Sequence, residues 1–338
     1  MRKLGVMLAA LWVPGMALAA EVDLVPDAKP KETKAQEGWD FLLTPGATAS
    51  LSDNRSMLGQ PEGTSATLGV TLASGADYRM GDHELRNRLD ILVTYSRTPA
   101  LDEFLKSADS LKIESIYLFH LTDWLGPYGK FNLETSILES YAADPTRPLW
   151  FNAAASGRDN RAAIMYRLTD GFSPLTLKET VGFFAQPFTH PEKKFSTEVR
   201  LGAGGMHVIA DGQKAVKDDA ATPEKEWIYL SDVNQAGAEL GLSLWGELKE
   251  KRIVYKAQAT FFLPILSNKK EGDERGAFEL LNVDVSATLS FKLLEWLSLD
   301  YQFKLLRQPQ LLDKWQVQNN VLLTASYAVF KLEKEKKE

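Results

Sequence analysis

A strict alternation of apolar and polar residues runs through LNVDVSATLSFK at positions 281–292. The odd positions from Leu281 to Phe291 are apolar, and the even positions from Asn282 to Lys292 are polar or charged. Successive side chains of an extended strand point to opposite faces. The stretch therefore predicts a β-strand with one apolar and one polar face.

The same period-two pattern recurs from Trp39 to Phe330, and helical periodicity is almost absent. The predicted strands cover 39–53, 63–79, 83–97, 107–122, 126–141, 172–187, 194–210, 227–246, 251–266, 276–292, 296–308 and 316–331. Strands of soluble proteins mostly run about 5–6 residues, whereas about 9–11 tilted residues cross a bilayer. The length of these segments favours a membrane barrel over the alternative, a large soluble periplasmic β-protein whose apolar faces pack together.

The connections between the predicted strands alternate in length. Those after the even-numbered strands are short, and those after the odd-numbered strands are longer, including 142–171 and 211–226. Short turns at one end and long loops at the other are typical of bacterial outer-membrane barrels. We therefore predict an all-β fold, a transmembrane antiparallel up-and-down β-barrel of about 12 strands over 39–331.

The tryptophans sort towards the ends of the predicted strands. The short-turn ends carry four of them, Trp39, Trp124, Trp245 and Trp296, and the opposite rim carries Trp227 and Trp315. Indole rings prefer the boundary between membrane and water, where the ring is apolar and the N–H meets a polar partner. These six residues are the predicted interfacial aromatic girdle.

The N-terminus reads as an export signal. Arg2 and Lys3 precede the apolar run LGVMLAALWVPGMALAA, and the small residues Ala17 and Ala19 stand before an acidic residue. This pattern predicts a signal peptide over 1–19 that is cleaved; the alternative is an anchor helix, for which the run is short and interrupted by proline. Residues 20–38 are charged and aperiodic, and we expect a flexible periplasmic lead-in.

Composition limits the chemistry of the chain. The formal net charge is −6 and cysteine is absent. A chain that is not basic gives no reason to expect nucleic acid as a partner, and the absence of cysteine excludes disulfides, thiol catalysis and Cys–zinc sites. We expect no cofactor and no metal site.

Three runs carry a resemblance to a known family: HELRNRLDILVTYSRTP (83–99), KSADSLKIESIYLFHLTDWLGPYGKFNLETS (106–136) and EWLSLDYQFKLLRQPQLLDKWQVQNNVLLTASY (295–327). They resemble uncharacterised outer-membrane β-barrels of Gram-negative bacteria that are known only as a domain of unknown function. The resemblance covers roughly 39–330. It implies a barrel in the outer membrane and brings no catalytic residues.

The C-terminus departs from the usual pattern of outer-membrane proteins, which end on an aromatic residue that the barrel-assembly machinery reads. Here KLEKEKKE follows Phe330. The resemblance implies that Tyr327 and Phe330 are the assembly signal. We interpret the charged tail, 332–338, as solvated; the alternative is a tail that binds a partner.

The polar faces of the predicted strands would line a lumen. Its candidate residues are Glu84, Arg86, Arg88, Asp90, Lys112, Glu114, His120, Lys130, Glu134, Arg200, Lys256, Asp284, Asp300 and Lys304, and the same face carries Glu198 and Glu239. Acids and bases are nearly balanced. They could form an ionic network that fills the interior, or a polar pathway whose unpaired members select solutes by charge.

These observations predict an outer-membrane barrel that acts as a narrow passive channel for small polar or charged solutes. One alternative is a closed structural barrel whose long extracellular loops bind a partner. A barrel hydrolase is a weaker alternative, because the chain contains no recognisable catalytic motif and only four histidines. The candidates for it are the lumen histidine His120 and an acid–base pair such as His207 with Asp211. The partners expected are outer-membrane lipid, the assembly machinery and the solutes.

Overall fold

A computed structural model describes most of the chain after residue 36. The described residues are 37–54, 63–98, 101–143, 149–152, 161–162, 165–190, 195–217, 225–248, 252–269, 272–327 and 330–331. The predicted signal peptide, nearly all of the lead-in and the charged tail 332–338 lie outside these residues. So does much of the predicted long loop 142–171.

Long antiparallel strands account for most of the described chain. The twelve longest are β1 (Gly38–Asn54), β2 (Gly63–Met80), β3 (His83–Thr98), β4 (Leu101–Phe119), β5 (Leu125–Thr135), β6 (Leu175–Ala185), β7 (Phe195–Ile209), β8 (Val233–Leu248), β9 (Ile253–Ser267), β10 (Asn282–Leu294), β11 (Leu297–Gln308) and β12 (Leu312–Ser326). No helix among the described residues is long and apolar enough to cross a membrane.

Each of these strands pairs with the next one along the chain, and the ring closes where β1 pairs with β12. At the closure Gly46 stands opposite Ser326 and Ala49 opposite Leu323. The segment Phe330–Lys331 adds two further pairs to β1. The predicted closed twelve-stranded antiparallel barrel is confirmed, and closure leaves no strand edge with unpaired backbone groups.

The two faces of the barrel wall differ as lipid exposure requires. On the outer face Val181 is 67 % exposed and Leu201 is 63 % exposed, whereas their polar neighbours Thr180 and Arg200 face inwards and are buried. A soluble sandwich would bury the apolar side chains instead. The apolar side of LNVDVSATLSFK likewise lies on the outer face, and its polar side faces the lumen.

The two ends of the barrel are distinguished by their connections. At the short-turn end lie both termini of the barrel and the connections 81–82, 120–124, 186–194, 249–252 and 295–296. At the long-loop end, 136–174 and 210–232 are long as predicted. The prediction of longer loops after β3 and β11 is wrong. Residues 99–100 and 309–311 suffice there, because the strand pairs continue to Thr98↔Leu101 and Gln308↔Leu312.

Segments of the two long loops pair with each other above the barrel. Lys225–Tyr229 pairs antiparallel with Lys214–Val216 and parallel with Leu149–Asn152, which also pairs with Arg161–Ala162. We call this four-stranded unit the outer sheet. A separate pair joins Ser140–Ala143 to Met165–Thr169.

Candidate functional site

The described part of the lumen contains the predicted polar residues, which are held in ion pairs and between packed apolar side chains. Thirteen of the fourteen predicted lining residues stand at inward-facing positions of their strands, and the remaining one, His120, is buried directly after β4. They fall into a cluster at the short-turn end, a cavity at mid-height and several local pairs.

The short-turn cluster consists of Glu84, Arg86, His120, Gln186 and Glu198. Arg86 donates from Nε to Glu84 Oε1 at 2.8 Å and from Nη1 to Glu198 Oε2 at 3.1 Å. His120 Nε2 lies 2.9 Å from Glu84 Oε2, and Gln186 Nε2 donates to Glu198 Oε2 at 2.9 Å. Because Arg86 is on β3 and Glu198 is on β7, this ion pair crosses the lumen and closes its short-turn end.

Apolar side chains from inward positions pack around the short-turn cluster. Leu118 and Phe184 are fully buried, and they form one group with Ile116 and Tyr128. The Phe184 ring meets the His120 ring edge-on at 5.1 Å. This packing keeps water from one side of the carboxylates and makes their ion pairs stronger than surface pairs.

A cavity of about 40 Å³ lies at mid-height, with a wall drawn from β4 to β11. Its ionisable lining residues are Lys112, Glu114, Lys130, Glu134, Lys178, Arg200, Asp284 and Lys304. Lys304 Nζ lies 2.7 Å from Asp284 Oδ1. Lys130 Nζ reaches across the lumen to Glu239 Oε1 at 3.4 Å. A space of this volume holds a few water-sized groups.

Arg200 is the lining residue whose hydrogen bonding is least complete. Its side chain is buried, and Nε lies 3.3 Å from Glu198 Oε1. Neither Nε nor Nη1 has a hydrogen-bond partner among the described residues. A guanidinium carries five N–H donors, and a buried donor without a partner is costly.

Apolar side chains close the long-loop end of the lumen. Inward positions of four strands supply Met206, Val208, Val233, Phe262 and Leu312, and the loop 210–232 supplies Ala210, Ala215 and Leu230. We call this group the outer plug. Beside it, Gln235 donates to Gln310 Oε1 at 2.8 Å, and Asn282 donates to Gln235 Oε1 at 2.6 Å.

The remaining predicted lining residues make local contacts. Arg88 forms a bidentate pair with Asp77 on the neighbouring strand, at 2.5 and 3.0 Å. Asp300 accepts a hydrogen bond from Ser298 at 3.0 Å. Asp90 and Lys256 also interact with partners. These residues brace the wall and do not belong to the cavity lining.

Sequence reasoning missed three of the residues that complete these arrangements, namely Asp77, Lys178 and Gln186. Asp77 was visible as a polar residue on the inward face of β2. Lys178 lies in LTLKETVGF, where Glu179 interrupts the apolar face and obscures the alternation. Gln186 lies outside the strand pattern, in the connection after β6.

Four of the six tryptophans predicted for the girdle are exposed near the barrel rims. Trp39 stacks on Phe41 with 5.4 Å between ring centroids, and Trp315 lies under Arg307 at 5.5 Å. Trp124 and Trp296 are about half exposed in their turns. Their contact with the lipid boundary stays a prediction.

The prediction is wrong for Trp227 and Trp245. Trp227 is 1 % exposed, because it packs in the outer sheet against Tyr166 and Tyr229 with Lys214 Nζ 4.8 Å from its ring. Trp245 is 9 % exposed and stands on the inward face of β8, in phase with Ser243 of the cavity wall. Both rings contribute to protein packing, so neither lies at a lipid boundary.

His207 lies on the outer face of the barrel. Its Nε2 is 3.0 Å from Glu179 Oε1, and its Nδ1 is 2.8 Å from Asn234 Oδ1. Asp211, the partner considered from the sequence, instead hydrogen-bonds through its backbone N–H to Asp232. The ring of His207 is held by a carboxylate and an amide, and neither partner is a hydroxyl or thiol nucleophile.

The C-terminal aromatic residues flank the end of β12. Tyr327 is exposed, and its backbone N–H donates to Pro45 O at 3.2 Å. Phe330 pairs through its backbone with Leu43 of β1. Both therefore belong to the barrel closure, and their reading by the assembly machinery stays a prediction.

Comparison with solved structures gives similarity to outer-membrane β-barrels. The chain matches the translocator domain of the autotransporter NalP from Neisseria meningitidis at 10 % identity, with 87 % of this chain and 89 % of that chain covered and a TM-score of 0.37. An outer-membrane channel from Pseudomonas putida F1 gives 10 % identity, 89 % and 100 % coverage and a TM-score of 0.37. The P. putida toluene transporter TodX gives 12 % identity, 88 % and 91 % coverage and a TM-score of 0.35. No family model and no curated protein matches the chain.

Proposed function

We propose that this protein is an outer-membrane barrel of a Gram-negative bacterium that passes small polar or charged solutes through a narrow lumen. The observation that carries the proposal is the charge-lined cavity at mid-height, which lies inside a closed barrel whose outer face is apolar. The short-turn end, with both termini of the barrel, faces the periplasm as in other bacterial barrels. Cleavage of an N-terminal signal peptide belongs to the same proposal.

The packing of the lumen limits how fast solutes pass and which solutes can pass. Twelve strands enclose more space than the eight-stranded barrels that side chains fill, and less than a 16-stranded porin. The ion pair between Arg86 and Glu198 and the outer plug both occupy that space. Passage therefore requires displacement of the plug, and we expect slow, selective flow instead of bulk diffusion.

Conductance of the refolded protein in planar bilayers tests the proposal. Folding of the barrel is first verified by the change in its electrophoretic migration on heating. A lack of conductance steps then cannot be caused by unfolded protein. We expect discrete steps that are small and infrequent in the wild-type protein. A folded barrel that gives no steps, even when the outer plug is weakened by Phe262→Ala, would show that the lumen conducts nothing.

A second candidate function is a closed barrel whose loops bind a partner. The observation in its favour is the outer sheet, which folds the two long loops into one unit with the buried Trp227 and Tyr166. Loops with a fixed shape suit recognition better than unstructured ones. If the folded Phe262→Ala barrel shows no conductance steps, this candidate is favoured over the passage of solutes.

Neither candidate function makes or breaks a covalent bond, and we assign no catalytic residue. His120 is hydrogen-bonded to Glu84 inside the short-turn cluster, where it has a structural role. His207 lies on the outer face between Glu179 and Asn234. The proposed partners are outer-membrane lipid around the apolar wall and the assembly machinery at Tyr327 and Phe330.

A further inference from the structure

The cavity at mid-height is lined by charged side chains. Five of them are cations, namely Lys112, Lys130, Lys178, Arg200 and Lys304, and three are carboxylates, Glu114, Glu134 and Asp284. Two further carboxylates contact these cations from beside the cavity: Glu239 lies 3.4 Å from Lys130 Nζ, and Glu198 lies 3.3 Å from Arg200 Nε. Because the acids and bases balance, an anion in the cavity would be held by N–H donors that these carboxylates leave unused.

Arg200 gives the cavity a donor that the protein leaves unused. The residue is 6 % exposed, and Nη1 has no hydrogen-bond partner among the described residues. Glu198, its nearest acid, already accepts hydrogen bonds from Arg86 and Gln186. A guanidinium in this condition is stabilised by an acceptor that enters from the cavity, and charge-assisted hydrogen bonds to an anion are stronger than those to water.

Neutral donors and the size of the space complete the site. The cavity wall includes the side-chain amides of Asn132 and Gln258 and the hydroxyl of Thr260. Its volume of about 40 Å³ admits a monatomic anion with a water molecule. These dimensions point to a small inorganic anion as the ligand.

We propose that the central cavity binds a small inorganic anion, with Arg200 as its principal ligand. The inference deepens the proposed passage, because it makes anions the solutes that enter the lumen. The binding site does not itself require flow, since an anion could occupy the cavity of a closed barrel.

Chloride is the probe for the test, and the linewidth of the ³⁵Cl NMR signal reports its binding to the refolded full chain in detergent. We expect excess broadening in wild-type protein that bromide displaces. Arg200→Gln should reduce this broadening at least fivefold, and Arg200→Lys should retain part of it. Arg167→Gln, which removes an exposed arginine at the long-loop end, is the control and should change nothing.

Three results would overturn the inference: wild-type protein without excess broadening, broadening that bromide does not displace, or equal broadening in wild type and Arg200→Gln. If Arg200→Gln does not fold, Lys178→Gln is the variant to test, and it should also reduce the excess broadening. Conductance separates this inference from the proposed function. If the protein binds chloride but does not conduct, the anion site is supported and the proposed passage function is wrong. If it conducts but does not bind chloride, the passage function is supported and the anion site is wrong.

Discussion

The long-loop end of the lumen is closed by apolar side chains, whereas the short-turn end is closed by ion pairs. The outer plug packs Met206, Val233 and Phe262 against a loop that is not part of the wall. The short-turn cluster joins Arg86 on β3 to Glu198 on β7, so it ties two walls of the barrel together. The outer plug depends on apolar contact, whereas the short-turn cluster depends on ion pairs between side chains of different strands.

This difference indicates which end opens. Apolar contacts are non-directional, and a loop that carries part of them can lift away as a unit. Separation of Arg86 from Glu198 would break a charge-assisted hydrogen bond inside the barrel, where such bonds are stronger than at a surface. We therefore expect the long-loop end to be the gate and the short-turn end to be the fixed frame.

The largest effect is expected from Arg86→Met. The change removes the cation that Glu84 and Glu198 share and leaves them only Arg79 at 3.9 Å and Arg200 at 3.3 Å, which should lower the free energy of unfolding by about 3 kcal/mol. Reversible urea unfolding in lipid vesicles measures the change. Arg167→Met is the matched control: that side chain is 54 % exposed, and a loss of no more than about 1 kcal/mol is expected. If Arg86→Met and Arg167→Met lower the free energy of unfolding equally, the short-turn cluster does not stabilise the barrel.

Phe262→Ala should weaken the other closure. Removal of a buried phenylalanine costs about 3 kcal/mol, and the cavity it leaves loosens the outer plug. We expect more frequent conductance steps than in wild type, whereas Arg86→Met should change ion selectivity more than step frequency. Phe278→Ala is the control, since Phe278 is 79 % exposed. A Phe262→Ala barrel that opens no more often than the control would place the gate elsewhere.

Lys214→Met tests how far the Lys214 side chain stabilises the outer sheet, whose strand Lys214–Val216 carries Ala215 of the plug. Lys214 Nζ lies 4.7 Å from the Tyr166 ring centre and donates to its hydroxyl at 3.1 Å. Loss of these contacts should cost about 1 kcal/mol locally. Hydrogen exchange in Lys225–Tyr229 should rise about fivefold. Lys217→Met, an exposed neighbour, should leave exchange unchanged; a similar rise there would indicate general loop loosening.

The smallest effect is expected from the pH dependence of the ion pair between Asp273 and Arg275, in the loop before β10. Two hydrogen bonds from the Arg275 side chain hold the pKa of Asp273 at about 2, below its usual value of 3.8. Because this pKa is lowered, the pairing is complete above pH 3.8 and is lost as pH falls towards 2. Carboxyl NMR titration of Asp273 should show this value. Arg275→Gln should raise it towards 3.8, and Glu274→Gln should not.

Much of the fold was predictable, because alternation and strand length are local properties of the chain. The stretches β2, β3 and β10 match their predicted bounds within a few residues except at the start of β10, where 277–280 form turns and the strand begins at Asn282. The outer plug was harder to predict. In FFLPIL both faces of the strand are apolar, which indicates an inward face that packs on other apolar side chains. That signal predicts burial of the inward Phe262, but it does not identify the loop that covers it.

The sequence by itself determined the barrel, the inward face of each strand and the charged character of the lumen, since each follows from period two along a single strand. Only the tertiary structure decided which charges meet. Arg86 and Glu198 are 112 residues apart and on non-adjacent strands, so their contact depends on how the closed ring folds its walls together. The closed ring also buries Trp245, whereas the packing of the two long loops against each other buries Trp227. Closure of the ring also left Arg200 facing a cavity with an unused donor, because a side chain's partners across a lumen are set by geometry that no local pattern contains.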